Sequence, residues 1–167
     1  MKLYNIPFSE EDIEELQVGD MVYISGYIYC GRDAVLPKVI QDIAMGKKNE
    51  LIDLKGNVIF HTAVSPAGVG PTSSNKLEIE ESILPLSDAG IKMHLGKGKL
   101  KEKTIKGLSD RNAVYAIIPP VTALLESKTL ERECVAYPEL GMEALYKVKV
   151  QEYPVIIAGA KGRSIYE

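Results

Sequence analysis

Residues 21–40 read MVYISGYIYCGRDAVLPKVI. From Met21 to Tyr29 the residues are β-branched or aromatic and alternate with period two, Val22, Ile24, Gly26 and Ile28 sharing one face, which predicts a strand. Cys30-Gly31-Arg32-Asp33 closes it. From Ala34 to Met45 the apolar residues Val35, Val39, Ile40 and Ile43 recur at helical spacing, and Pro37 is tolerable only in a first turn. A strand that hands over to a helix within a few residues is the unit of an α/β fold, and here it sets Arg32 and Asp33 at the strand-to-helix junction.

The same alternation extends outward in both directions. Upstream, Ser9-Glu10-Glu11-Asp12 has the capping-box pattern, in which the serine satisfies free backbone N–H groups and early carboxylates suit the positive helix end, so a short helix is predicted to about Leu16. Downstream, Leu51–Leu54 and Val58–Thr62 flank the turn signal Lys55-Gly56-Asn57, and Ala63 to Ser74 reads as a loop rich in Gly, Pro, Ser and Thr. Asn75–Leu84 reads as a helix, Ile91–Leu95 as a strand, Leu100–Leu108 as a helix and Ala113–Ile118 as a buried strand. Val121–Ser127 reads as a short helix, Cys134–Tyr137 as a short strand, and Leu145–Gln151 as pairing with Val155–Ala158 in a hairpin across Tyr153-Pro154.

With 167 residues, 46% hydrophobic and 26% charged, the chain is expected to fold as one domain, residues 1–167, around one core. Twenty basic against twenty-three acidic side chains leave a net charge of -3, so there is no global positive field for nucleic acid or an anionic membrane, and neither is expected as a partner. The acidic Met1–Gln17 start lacks the pattern of a signal peptide, and no apolar run reaches the roughly eighteen residues a bilayer crossing needs, so a cytoplasmic location is expected. Cys30 and Cys134 are the only cysteines, too few for a disulfide framework, an iron-sulfur cluster or a structural zinc. No metal site is therefore assigned to this chain.

Three stretches carry candidate chemistry. Gly68 to Asn75 places hydroxyl and amide side chains on flexible backbone directly before a predicted helix, which suits either an anion held by free N–H groups or a plain helix cap and turn. Gly96-Lys97-Gly98 follows a predicted strand, so its lysine either faces an anion between two residues lacking side chains or is an exposed member of a basic turn. Arg32 offers a planar fork for a carboxylate with Asp33 holding it; the other reading has Asp33 capping the helix and Arg32 solvated. His61 and His94 lie in separate predicted strands and receive no catalytic role, and Cys30 is held only as a neighbour of the site.

Four blocks in order resemble the β subunit, or equivalently the C-terminal domain, of the iron-sulfur class I fumarate hydratase and L(+)-tartrate dehydratase family. They are Val18-Gly19-Asp20 to Tyr29 with Arg32-Asp33-Ala34, then Gly70-Pro71-Thr72, then Gly96-Lys97-Gly98, and the run Tyr137-Pro138-Glu139-Leu140-Gly141-Met142-Glu143-Ala144. The resemblance spans nearly the whole chain. It implies a swivelling β/β/α domain, a mixed sheet with flanking helices, in a hydro-lyase whose separate α subunit carries a 4Fe-4S cluster. It further implies a small dicarboxylate substrate, fumarate and malate first, with tartrate or a methylated fumarate as alternatives and a non-catalytic anion-binding or assembly module as the other reading. A homodimer or an α2β2 assembly is implied as well.

Carried over by motif, Thr72 is the proton-abstracting residue, Arg32 and Lys97 bind or polarise carboxylates, and Asp33, Gly70, Pro71, Ser73 and Lys76 complete the substrate site. A threonine base needs activation by nearby cations or N–H groups, since a free hydroxyl is a poor base at neutral pH. The chain departs from the family pattern at Leu36, where the motif has histidine, at Lys76-Leu77-Glu78, where it has Arg-Met-Asp, and at Ser73, where it has a second threonine. Lys76 keeps the charge of that arginine and loses its fork.

Overall fold

Met21–Cys30 forms a strand, β2, in the computed structural model, which describes residues 2–65, 68–69, 76–119 and 128–167. Before it come β1 (Lys2–Asn5) and α1 (Glu10–Glu14). After it follow α2 (Leu36–Ala44), β3 (Val58–Phe60), β4 (Val64–Ser65), β5 (Gly68–Val69), α3 (Lys76–Asp88), β6 (Met93–Gly96), α4 (Glu102–Asp110) and β7 (Val114–Ile117). The chain ends with β8 (Thr129–Ala136), a 3-10 turn over Pro138–Glu143, β9 (Leu145–Ala160) and β10 (Arg163–Ser164).

The pairings follow from β2. Its last residues pair in parallel with β3, β3 with β6, and β6 with β7. β7 then pairs antiparallel with the second half of β9, which runs antiparallel along nearly all of β2. The hydrogen-bonded path therefore returns to its start, closing five strands into a ring, with β1 parallel on β2 and with β8 and β10 antiparallel on β9. Period-two alternation sends Val22, Ile24, Val58, Phe60, Met93 and Leu95 into the ring's interior, where they form the main apolar cluster.

The outward residues of the parallel strands are apolar apart from His94, and helices cover them. α2 and α3 bring Val35, Leu36, Val39 and Leu86 onto Tyr29 and Ile59, while α4 packs Ile105 and Leu108 beside Tyr115. Helices, parallel strands and the antiparallel β8–β9 ribbon thus stack as the expected β/β/α layers, an α/β mixed sheet of eight strands with flanking helices. Among the described residues no helix is long and apolar enough to cross a membrane.

Several expected elements differ. The hairpin across Tyr153-Pro154 is instead the single strand β9. Glu152 adopts a left-handed conformation, φ 48°, and gives its N–H to Ser25 Oγ at 2.8 Å, beside a register shift between Ile24 and Gly26, so the irregularity is a bulge that bends the strand without reversing it. α3 passes through Pro85 to Asp88 because Ile83 and Leu86 on either side are fully buried, which offsets the missing backbone bond. The Ala63–Ser74 loop contains the short ribbon β4–β5, and β8 extends back to Thr129. Leu51–Leu54 is irregular, and the predicted helix at Val121–Ser127 lies outside the described residues.

Candidate functional site

Because β2, β3, β6 and β7 are parallel, their carboxyl ends share one edge of the sheet, where α/β proteins place ligands. Two backbone bonds carry the ladder past the strand ends: Gly31 N–H to the Phe60 carbonyl at 3.1 Å and His61 N–H to the Leu95 carbonyl at 3.0 Å. Cys30, Phe60 and Leu95 occupy one row across the strands, and two residues further along each segment, just past the three strand ends, come Arg32, Thr62 and Lys97, the chain turning at Thr62 as its N–H returns to the Phe60 carbonyl at 2.8 Å. Two inter-strand spacings, about 10 Å, separate the ends that carry Arg32 and Lys97. α2 begins just beyond β2. α3 returns from this edge to the start of β6, so its first residue, Lys76, opens the helix at the same edge, where the positive end of the helix dipole lies.

Arg32 is anchored there by the distinctive Tyr137–Ala144 run. Its Nε lies 2.9 Å from both carboxylate oxygens of Glu143, and Nη2 also donates to Glu143. That bonding holds the guanidinium pKa above its ordinary value. The Asp33 carboxylate stands 4.0 Å from Nε, so the close bidentate partner of Arg32 is Glu143. The turn carrying Glu143 is itself tied to α2, since Tyr137 donates its hydroxyl to the Asp42 carboxylate, which raises the phenol pKa. β4 also packs against this turn. Leu36 is fully buried among Tyr29, Val35 and Val39, so at that position the side chain serves helix packing.

Lys97 is exposed at its strand end. The glycines beside it serve Tyr115: a Cβ on Gly96 would lie 3.0 Å from the Tyr115 hydroxyl, and Gly98, at φ 82°, accepts that hydroxyl on its carbonyl at 2.9 Å. Space that the sequence offered to an anion is thus occupied by a tyrosine that fixes the turn. Gly70, Pro71, Thr72 and Ser73 lie outside the described residues, as does the side chain of Lys76.

The sequence assigned no role to His61 and His94, yet the β3–β6 pairing brings them together. Both are buried, at 3% and 0% exposure, and His61 Nε2 sits 3.0 Å from His94 Nδ1. His94 Nε2 is 2.8 Å from Ser87 Oγ on α3. Burial pushes His61 down to about 3, and burial together with the neighbouring ring pushes His94 well down, so both rings are neutral at physiological pH. Buried Thr62, between Arg32 and Lys97 in the row, was missed as well. A contact between strands 33 residues apart leaves no periodic signal; only knowledge of the register would have found it.

Cys30 faces the ring's interior, and burial raises its thiol pKa, so it packs as an apolar residue. Among the described residues no three His, Cys, Asp or Glu side chains gather as metal ligands. A groove of about 960 Å³ runs along the later part of α2 and the 47–55 connection, and neither Arg32 nor Lys97 lines it.

Comparison with known proteins follows the same residues. The profile of the family described as Fumarase C-terminus matches residues 1–167. A Methanocaldococcus jannaschii protein provisionally named L(+)-tartrate dehydratase subunit beta is 34% identical over 176 positions, covering 95% of this chain and 88% of that protein. The L(+)-tartrate dehydratase subunit beta of Escherichia coli is 30% identical over 169 positions, 94% of this chain and 82% of its own. A longer Geobacillus stearothermophilus protein, provisionally named a class I fumarate hydratase, is 30% identical over 174 positions that cover 96% of this chain and 32% of that protein.

Proposed function

From the fact that this chain belongs to the fumarase C-terminal family, we propose that it is the β subunit of a hydro-lyase that removes water from a small 2-hydroxy dicarboxylate or adds it to the alkene. Malate with fumarate is the first substrate pair, and L(+)-tartrate is the alternative drawn from the names of the relatives. The observation that carries this reading is the row of Arg32, Thr62 and Lys97 at the carboxyl edge, with Arg32 held bidentately by Glu143.

In this reading Arg32 and Lys97 hold the two carboxylates of the substrate, since cations about 10 Å apart at their backbones have side chains long enough to close on a four-carbon diacid. Glu143 keeps the guanidinium plane fixed for the ligand. Thr72 takes the proton from the carbon beside the hydroxyl-bearing one, and Lys76 with the positive end of the α3 dipole steadies the negative charge that develops. Gly70, Pro71 and Ser73 flank Thr72 in the sequence and complete the substrate site in this reading, and Asp33 lies next to Arg32 in the chain. The 4Fe-4S cluster belongs, in this proposal, to a separate α subunit, since two cysteines are too few thiolates to ligate it here.

The test is anaerobic co-expression with an α subunit, reconstitution, and absorbance assays on malate and L(+)-tartrate. Thr72→Ala is expected to lower kcat by about 10²-fold or more. Arg32→Lys, which keeps charge but cannot form the fork, is expected to lower kcat/KM by roughly 10²-fold at unchanged thermal stability of the complex. A stable, cluster-loaded complex inert on both substrates would overturn the hydro-lyase reading in favour of an assembly module.

A further inference from the structure

We propose that Ser87, His94 and His61 form a neutral proton relay that connects the carboxyl edge of the sheet with solvent beside α3. Three hydrogen-bonding groups lie in line: Ser87 Oγ, half-buried near the end of α3, His94 Nε2 at 2.8 Å, and His61 Nε2 at 3.0 Å from His94 Nδ1. The line begins at a helix end remote from the site and finishes at His61, one residue before Thr62 in the row that also holds Arg32 and Lys97. At its far end His61 Nδ1 is buried and has no hydrogen-bond partner among the described residues. A buried ring nitrogen left unpaired is destabilising, so an orphan at the end of an otherwise satisfied chain calls for a function.

Tautomer bookkeeping supplies one. When His61 carries its proton on Nε2 it donates to His94 Nδ1, His94 donates from Nε2 to Ser87, and Nδ1 of His61 presents a lone pair. When every link reverses, Ser87 donates to His94 Nε2, His94 Nδ1 donates to His61 Nε2, and Nδ1 of His61 presents an N–H. Conversion between the two states takes in one proton at His61 Nδ1. It passes the Nε2 proton to His94 Nδ1, moves the His94 Nε2 proton to Ser87 Oγ and releases the Ser87 hydroxyl proton to water. Neither ring becomes charged, which an apolar layer requires. In the proposed dehydration the proton starts on carbon, and the departing hydroxide regains one from solvent, so the balance is one water.

The relay's existence is independent of the reaction, while its use in turnover rests on the hydro-lyase reading. The first measurement is therefore made on this chain alone, as solvent exchange of the two imidazole N–H protons by nitrogen-15 NMR. The wild-type ring protons are expected to exchange at least roughly tenfold faster than the backbone amides of Ile59 and Leu95. His94→Gln keeps a hydrogen-bonding side chain but cannot pass a proton through, and is expected to slow exchange at His61 by about tenfold with those amides unchanged. Should His94→Gln fail to fold, Ser87→Ala reads the same link. Ring protons as slow as the amides, or indifferent to these variants, would overturn the relay. In the assembled enzyme His94→Gln is expected to lower kcat about 10²-fold with KM kept and a larger solvent deuterium isotope effect. Wild-type turnover in that variant would remove the relay from catalysis and leave the hydro-lyase reading standing. A wild-type complex without turnover would overturn that reading and leave the exchange result to decide the relay.

Discussion

His61 and His94 are stored in the folded chain as neutral rings, burial holding His61 down to about 3 and His94 well below its usual value. The unfolded chain protonates both near the ordinary value of about 6.5. Below that point the unfolded state binds more protons than the native one, so stability rises with pH; the contribution is intact above about 6.5 and is lost progressively as pH falls toward about 3. Each ring costs about 1.4 kcal/mol per pH unit once the unfolded form is protonated. The urea midpoint is expected to fall steeply from about pH 7 to about pH 5, and a His61→Gln, His94→Gln double variant to lose most of that slope. A variant retaining the full slope would assign the acid sensitivity to carboxylates. None of this was legible in the sequence, which shows two isolated histidines. Nor was Glu143 legible as the partner of Arg32, 111 residues away. The places of Arg32 and Lys97 just past strand ends were legible, because a strand end followed by a turn is written in adjacent residues.

Elements were legible wherever their cause was local. The capping box of α1 forms as spaced, Ser9 Oγ accepting the Asp12 N–H at 3.1 Å and Asp12 accepting the Ser9 N–H at 3.0 Å. β2 and α2 follow their periodicities, and Pro37 sits in the first turn of α2. β9 was misread because Tyr153-Pro154 carries the same turn chemistry whether the chain reverses or bulges, and the choice is made by β2 lying alongside. That difference can be measured. Glu152 occupies the left-handed region without being glycine, so Glu152→Gly is expected to stabilise the fold by about 1 kcal/mol. Ser25→Ala removes the acceptor of the Glu152 N–H and is expected to destabilise it by a similar amount, about 1 kcal/mol. In a hairpin Ser25 would be remote from position 152, and its loss would leave the urea midpoint unchanged.

At the scale of the whole molecule, the last long strand does the closing. β9 alone supplies both pairings that turn the parallel strands into a ring, one to β7 and one to β2, and β8 and β10 pair with nothing but β9 among the described residues. Without it the inner faces of β2, β3 and β6, with Val22, Ile24, Phe60 and Leu95 now buried, would face water. Each such side chain forfeits about 1.5–3 kcal/mol on exposure, so these four together forfeit about as much as the 5–15 kcal/mol that typically hold a domain together. A chain ending at Ala144 is therefore expected to lack a cooperative thermal transition by far-UV circular dichroism and to show collapsed amide dispersion by NMR. The same truncation tests the site, because β9 begins at Leu145, directly after the turn that seats Glu143 against Arg32. If residues 1–144 melted cooperatively, the parallel strands and their helices would be self-sufficient and β9 only an accessory. If they do not, closing the ring and orienting Arg32 are one event, and seating Glu143 against Arg32 depends on pairing of the first long strand with the last.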